Sequence, residues 1–360
     1  MAITTAPLAC GAFFPLDEAL GLQERKPWSL HLKWLVTRLA GRLPYEQTRE
    51  VLAEIGEIEL AKSRVWHIVQ ESGAQLGAEI AAEEAEQKAA ARTWSTPGGR
   101  FRSARRMGIS MDGAMINVIG EGWKELKLAC VFYVEQETRI DEYTGDAGEF
   151  GCAVQQSYVA HLGGPEVFGW QAWSETQRRG WGEARDTQML ADAARWIWNL
   201  YAEHFHESIG VVDWYHAVEK LGKAKQLIYP QEGAGAQRWF NAQKTALRQG
   251  HARRIAKSLK TAADQSDVAE DAKALRTAAG YFSHNHDRMQ YQDFRDAGWL
   301  IGSGTVESGA KQFKMRFSGP GMRWSRPGAE NLLPVRAAVM TSRERFDDLW
   351  ARAYKNSPPN

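Results

Sequence analysis

The chain has 360 residues, of which 44% are hydrophobic and 25% are charged. This composition is typical of globular proteins and excludes wholesale disorder, and the length is sufficient for more than one hydrophobic core. Lysine and arginine number 45 against 44 acidic residues, so the net charge of +1 gives no indication of a polyanionic partner. Binding to nucleic acid must therefore be inferred from local clusters of charge.

No run of eighteen apolar residues occurs, and the first thirty residues lack the pattern of a signal peptide. The three cysteines, Cys10, Cys130 and Cys152, form no C-x-x-C pair, so we expect neither a disulfide framework nor a cysteine zinc site. These features predict a cytoplasmic protein without a membrane partner. The fifteen tryptophans favour large cores, with base stacking as the alternative.

Residues 1–92 are predicted to form a helical domain that ends in a linker helix. Apolar residues recur there at spacings of three and four, which predicts three helices and then a solvated helix rich in alanine and glutamate. Two short helices joined by a glycine turn fit a helix-turn-helix that binds DNA, but any three-helix bundle gives the same pattern. In the first of these readings the residues that face the DNA are Lys62, Arg64 and His67. The segment 95–99, Ser-Thr-Pro-Gly-Gly, marks the domain boundary.

After this boundary the apolar residues alternate, as in β-strands. The segment from Met107 to Val134 predicts strands in meander order, with the last strand of the meander at either 131–135 or 157–162. The dipeptide Asp112-Gly113 follows the first alternating segment. Considered by itself, this dipeptide is more typical of a hairpin turn than of a functional site.

Further along the chain, short strands alternate with helices. The predicted elements are a helix at 166–180, a strand at 187–191, a helix at 196–205 and a strand at 209–212. Both strands end at an aspartate, Asp192 and Asp213. This order indicates a mixed α/β sheet.

The predicted sheet domain is interrupted by helices. It occupies residues 100–216, and residues 217–298 carry no strand pattern and are rich in alanine, lysine and glutamine, which predicts an all-helical insertion. The sheet domain resumes at 299–350, where a turn at Gly302-Ser303-Gly304 opens onto a helix that carries Glu307. This turn is either a simple flexible connection or a close backbone approach to a phosphate.

Four acidic residues lie at strand ends or near a helix start in the predicted sheet domain. They are Asp112, Asp192, Asp213 and Glu307. Carboxylates without cysteine ligands select a hard cation such as Mg²⁺ or Mn²⁺. Two such ions can activate an attacking oxygen and stabilise a leaving oxygen, so the composition of the site indicates phosphoryl transfer.

Three segments resemble bacterial insertion-sequence transposases of the ISKra type. They are Val-Val-Asp213-Trp-Tyr-His216, Leu-Ile-Gly-Ser-Gly-Thr-Val-Glu307-Ser-Gly-Ala-Lys311 and Gly321-Met322-Arg323-Trp324-Ser-Arg-Pro-Gly-Ala-Glu-Asn. This group belongs with the Mutator-like DDE transposases, which have a ribonuclease H-like catalytic fold. The similarity extends from about Cys10 to Trp350 and is most specific in the last hundred residues.

The resemblance implies a role for each acid. Asp112 matches the first catalytic aspartate of the family and Glu307 its catalytic glutamate. Asp192 resembles the second aspartate, although it is followed by alanine where the family more usually has glycine. Asp213 and His216 match the D-x-x-H signature, and the order of strands favours Asp213 as a supporting carboxylate. His216 is either a core histidine bonded to a carbonyl or a contact to phosphate.

The function implied is metal-dependent cleavage and strand transfer of the DNA of an insertion sequence. Two Mg²⁺ or Mn²⁺ ions would be held by Asp112, Asp192 and Glu307. The implied partner is double-stranded DNA bound by a homodimer or higher oligomer, with no small-molecule substrate. The alternatives are a nuclease or resolvase that only hydrolyses DNA, and an inactive, domesticated DNA-binding protein.

A basic segment follows the glutamate. Residues 301–326 contain five lysines or arginines and one acid. The residues expected here to contact the DNA backbone are Lys311, Arg316, Arg323, Trp324 and Arg326. The alternative is a solvated surface, with Trp324 in the core.

Overall fold

The computed structural model describes residues 28–92, 103–141, 145, 147–302 and 304–355, with the side chains of 91–92, 305–308 and 310 outside the description. Cys10 and the predicted boundary at 95–99 also lie outside the described residues. The described chain combines thirteen α-helices with one mixed sheet.

Three helices precede the sheet, as the apolar spacing predicts. They are α1 (Leu30–Arg42), α2 (Tyr45–Gly56) and α3 (Lys62–Arg92). Ser29 caps α1 by accepting a hydrogen bond from the backbone N–H of Leu32 at 3.2 Å. The left-handed backbone of Glu57 (φ 53°) ends α2. α3 combines the predicted third helix and the predicted solvated helix in one element of 31 residues.

A five-stranded sheet follows, with the strand order β3-β2-β1-β4-β5. The strands are β1 (Arg106–Val118), β2 (Gly122–Ile140), β3 (Ala147–Leu162), β4 (Asp186–Ala191) and β5 (Ile209–Val212). β1, β2 and β3 are antiparallel neighbours, whereas β4 pairs in parallel with both β1 and β5. The prediction of a mixed α/β fold is confirmed.

The hairpin turn considered at Asp112-Gly113 is wrong, because β1 continues through both residues. Asp112 pairs with Leu128 on β2, and the hairpin turns instead around Gly120, whose φ is 80°. Continuous pairing with a long partner strand overrides the local preference of Asp-Gly for a turn. Of the two positions considered for the last strand of the meander, 157–162 lies in β3, whereas 131–135 belongs to β2.

Ten further α-helices lie among the described residues after the meander. Before the insertion they are α4 (Pro165–Arg178) and α5 (Arg195–Leu200). The insertion contains α6 (Trp214–Ile228), α7 (Ala234–Arg248), α8 (Ala252–Asp264), α9 (Ala269–His284) and α10 (Tyr291–Asp296). The last three are α11 (Gly304–Met315), α12 (Arg326–Thr341) and α13 (Arg343–Tyr354). No helix in these described ranges is both long and apolar enough to cross a membrane.

Helices cover both faces of the sheet. Alternate residues of β1, namely Met107, Ile109 and Met111, pack against Phe168 of α4 and Ile197 of α5. The residues between them point to the other face of the sheet, because the side chains of successive strand residues point to opposite faces. Two cores lie there, one formed with the insertion helices and one with the N-terminal and C-terminal helices.

The N-terminal helices share their core with the C-terminal helices. Val36 of α1 and Val65 of α3 belong to the same buried cluster as Leu333 of α12. The closest approach is at Gly73, where an added Cβ would lie 1.9 Å from the backbone oxygen of Asn331. Only glycine allows α3 and α12 to come this close.

Gly73→Ala should therefore separate α3 from α12 and lower the free energy of unfolding by about 1–3 kcal/mol, the usual cost of overpacking. Gly222→Ala is the matched control, because it lies within α6 and an added Cβ would meet nothing within 4 Å. Alanine is the better helix former, so the control should be neutral or stabilising by up to about 1 kcal/mol. Urea unfolding of both variants measures the difference, and equal stability would contradict the close contact.

Candidate functional site

Three aspartates occupy one row at the point where the parallel pairing of β1, β4 and β5 ends. Met111 of β1 is the cross-strand partner of Ala191 of β4, and Ala191 is the partner of Val212 of β5. The next residues along the three strands are Asp112, Asp192 and Asp213. Since neighbouring parallel strands run in register here, the structure brings the three predicted aspartates together at one edge of the sheet.

Asp112 contacts the helix that carries Glu307. Its Oδ2 accepts a hydrogen bond from Nζ of Lys314 at 2.7 Å, and its Oδ1 accepts one from the backbone N–H of Gly113 at 2.7 Å. Lys314 lies on α11, seven residues or about two turns after Glu307. The side chain of Glu307 lies outside the described residues, but its helix is held against Asp112.

Asp192 organises the connection between β4 and α5. Its Oδ1 accepts a hydrogen bond from the backbone N–H of Ala194 at 2.9 Å, and its carbonyl accepts one from Nε1 of Trp198 at 2.8 Å. Ala193 is not among the residues with positive φ. Alanine therefore fits without strain at the position where the resembled family more usually has glycine.

Asp213 is buried, with 1% of its surface exposed, and it caps α6. Its Oδ1 accepts a hydrogen bond from the backbone N–H of His216 at 2.9 Å and lies 3.1 Å from Nδ1 of the same residue. An ionised carboxylate can only accept, so the contact favours a proton on Nδ1. His216 is thus bonded to a carboxylate rather than to a carbonyl, and the exposed fraction of its side chain is 43%.

The turn before α11 is fixed to the parallel strands by its backbone. Gln188 of β4 donates to the carbonyl of Leu300 at 2.7 Å and accepts from its N–H at 3.2 Å. The backbone N–H of Trp214 donates to the carbonyl of Ile301 at 2.8 Å. These bonds place the start of α11 beside the end of β5.

Two residues near the aspartates are not predicted by any pattern in the sequence to belong to the site. One is Lys314, whose ammonium group pairs with Asp112. The other is Tyr281 of α9, whose pKa is raised first by burial and then by the negative charges of Asp192 and Asp213. Its hydroxyl is buried and has no hydrogen-bond partner among the described residues. The helical insertion therefore contributes a polar group beside the row of aspartates.

The predicted DNA-facing residues of α3 are exposed. They are Lys62, Arg64 and His67, and they lie on the first two turns of the helix. Trp66, a residue that the sequence did not single out, is 37% exposed and packs edge to face on His67, with ring centroids 4.8 Å apart. The exposed start of α3 thus combines three basic or titratable side chains with an aromatic ring.

The basic segment divides into exposed and buried residues. Lys311 and Arg323 are exposed, and Arg326 is partly exposed and forms ion pairs with Glu121 at 2.5 Å and Glu330 at 3.1 Å. Lys311 and Arg323 thus present exposed side chains, whereas all three guanidinium nitrogens of Arg326 already donate within the chain.

The predicted phosphate contacts of Arg316 and Trp324 are wrong, because both side chains are buried at 3% and 7% exposure. Nε of Arg316 donates to the carbonyl of Ala40 at 2.9 Å, and its guanidinium lies over the rings of Tyr45 and Trp324. Nε1 of Trp324 donates to the carbonyl of Phe317 at 2.8 Å. Both residues hold α11 against the N-terminal helices.

A comparison with models of protein families finds no match to this chain, and no curated protein is significantly similar to it. Function must therefore be inferred from the geometry of the aspartate row and from the resemblance of the three motifs.

Arg316→Ala should lower the free energy of unfolding by about 2–4 kcal/mol, because it removes a buried hydrogen bond and leaves a cavity between two rings. Arg316→Met should cost less, since it fills much of the space without burying a charge. Arg323→Ala, at an exposed position, should stay within about 0.5 kcal/mol of the wild type. Urea unfolding distinguishes these cases, and an unchanged stability of Arg316→Ala would contradict its structural role.

Proposed function

We propose that the chain is a DDE-type DNA transposase, which cleaves and joins DNA strands in a metal-dependent reaction. The observation that carries the proposal is the shared register of Asp112, Asp192 and Asp213, with the helix of Glu307 held against the first of them. The order of elements adds support. Three antiparallel strands, a helix and a fourth strand that ends at the second acid are the order expected of a ribonuclease H-like fold.

The donors fit a hard divalent cation. Asp112 and Asp192 offer only carboxylate oxygens, and Asp112 already binds a cationic group, the ammonium of Lys314. The described side chains alone contain no group of three ligands arranged around a metal ion. Under this proposal Glu307, whose side chain is not described, completes the set for two Mg²⁺ or Mn²⁺ ions. When bound, such ions would activate the attacking oxygen and stabilise the leaving oxygen.

The remaining residues position this set. Asp213 caps α6 and orients His216, whose ring is partly exposed near the end of β5. Lys314 pairs with Asp112, so its ammonium group would have to move aside for that carboxylate to bind a metal ion. Asp213 is buried and engaged with His216, so a supporting role suits it better than direct contact with a metal.

Double-stranded DNA is the proposed substrate, and a homodimer or higher oligomer would hold it. The exposed start of α3, with Lys62, Arg64 and His67, would contact one DNA end. Lys311, Arg323 and Arg326 would contact the phosphate backbone, where charge neutralisation contributes affinity without sequence preference.

Asp192→Asn should abolish strand cleavage and leave DNA binding intact. Asp213→Asn should retain measurable cleavage at high Mn²⁺, because asparagine also caps helices and loss of a supporting group typically costs about 10–100-fold. The substrate is a duplex that carries the DNA flanking the gene, and gels measure both cleavage and strand joining. Ca²⁺ should permit binding with little cleavage.

Other results would contradict parts of this proposal. Cleavage without joining by the wild type assigns a hydrolytic nuclease or resolvase. Binding with no cleavage in Mn²⁺ assigns an inactive DNA-binding protein, and full cleavage in chelator contradicts the metal site. If Asp213→Asn is the more severe change, Asp213 is the ligand.

Replacing the three exposed residues Lys62, Arg64 and His67 by glutamine should reduce the preference for the flanking DNA over random DNA of equal length. Deletion of residues 1–92 would be a poor test, because the N-terminal helices share a core with α12. The control replaces three exposed basic residues of α8, Arg254, Lys257 and Lys260, by glutamine. Fluorescence anisotropy measures the affinity of each variant for the flanking duplex and for the random duplex. If the triple variant on α3 keeps the full preference, other residues recognise the DNA end.

A further inference from the structure

An open cavity of about 500 Å³ lies at the opposite end of the sheet, where β1 and β4 begin. Its charged lining is Arg105, Arg106, Glu135 and Arg185, and its other polar residues include Tyr133, Gln136 and Gln155. Arg106 precedes Asp112 by six residues on β1, which corresponds to about 20 Å of strand. The cavity is therefore distinct from the row of aspartates.

Positive charge exceeds negative charge at this cavity. Asp186 pairs with Arg185 at 2.9 Å and lies 3.5 Å from Arg106, and Glu135 is the other acid at the rim. Against these two carboxylates stand the three lining arginines, Arg105, Arg106 and Arg185. The local field favours an anion.

Arg105 is held in place without using its donors. Its guanidinium lies over the ring of Tyr133 at 5.0 Å, and no side-chain hydrogen bond or ion pair joins it to another described residue. Arg106 is engaged elsewhere, because its Nη1 donates to the carbonyl of Ala297 at 2.6 Å and its Nε lies 3.5 Å from Oδ2 of Asp186. Stacking fixes the planar group of Arg105 in advance, so it loses little freedom when it binds an anion.

The backbone beside the cavity is strained in a way that shapes its wall. Gln155 adopts a left-handed backbone conformation with φ 50°, which is unusual for a residue other than glycine. It lies in a bulge of β3, because Val131 pairs with Ser157 whereas Tyr133 pairs with Val154. Bulges of this kind redirect side chains and are frequent near functional sites.

We propose that this cavity binds a phosphate group through Arg105 and Arg185. A guanidinium offers two parallel N–H donors that match two phosphate oxygens, and phosphate can accept from both arginines. The phosphate belongs either to the backbone of DNA or to a free phosphorylated compound, since both present the same oxygens. None of the proposed catalytic residues lines the cavity. The proposal of a phosphate site therefore does not depend on the proposed reaction.

The first test uses inorganic pyrophosphate and calorimetric titration of the full chain. Arg105→Gln should weaken binding about tenfold, because it removes charge-assisted hydrogen bonds. Asp186→Asn should strengthen binding several-fold, since it removes the carboxylate that competes for Arg106 and Arg185. Arg254→Gln, an exposed arginine on α8, should change nothing. Thermal unfolding confirms that all variants are folded.

The second test identifies the source of the phosphate with a labelled duplex titrated at several salt concentrations. If the ligand is the DNA backbone, Arg105→Gln should reduce the salt slope by about one unit, and Arg254→Gln should not. If the ligand is a free compound, Arg105→Gln should weaken pyrophosphate binding and leave the salt slope of duplex binding unchanged. The proposal is overturned if Arg105→Gln binds both probes like the wild type, or if Arg254→Gln weakens binding equally. Asp192→Asn should bind pyrophosphate normally, which separates this site from the reaction.

Discussion

The candidate site depends on the register between β1, β4 and β5. Asp112, Asp192 and Asp213 follow three residues that are paired across these strands. A slip of one residue in any strand would turn its aspartate to the opposite face of the sheet. The buried Gln188 helps to prevent this, because it bonds in both directions to the backbone of Leu300 and so ties β4 to the turn before α11. The same bonds position the helix of Glu307 relative to the aspartates.

Asp192 and Asp213 could be found in the sequence because they follow short apolar strands, and strand ends meet at one edge of an α/β sheet. Alternation and spacing predict β4, β5 and the helical insertion close to their observed bounds. Local propensity favours a hairpin turn at Asp112-Gly113. However, β1 pairs with β2 along its full length, through both of these residues. Turn preferences act over about four residues, whereas this pairing spans the whole strand, so the strand prevails.

The environment of each charged side chain could not be read from local composition. Residues 314 and 316 are both basic, but Lys314 lies in the last turn of α11 whereas Arg316 directly follows the helix. Lys314 reaches Asp112, whereas Arg316 is buried between Tyr45 and Trp324. A count of positive charge treats the two as equivalent. Only the packing of α11 between the sheet and the N-terminal helices distinguishes them.

The insertion leaves and rejoins the sheet at one place. The backbone of Trp214, its first residue, bonds to Ile301, and the hydroxyl of Tyr291 donates to the carbonyl of Val212 at 2.9 Å. The two ends of this long insertion therefore meet beside the strands that hold the aspartates. It also buries Tyr281 close to Asp192 and Asp213, and the pKa of that phenol is raised first by burial and then by these two negative charges. The insertion is thus attached beside the strand ends that hold Asp192 and Asp213, and one of its buried side chains lies close to both acids.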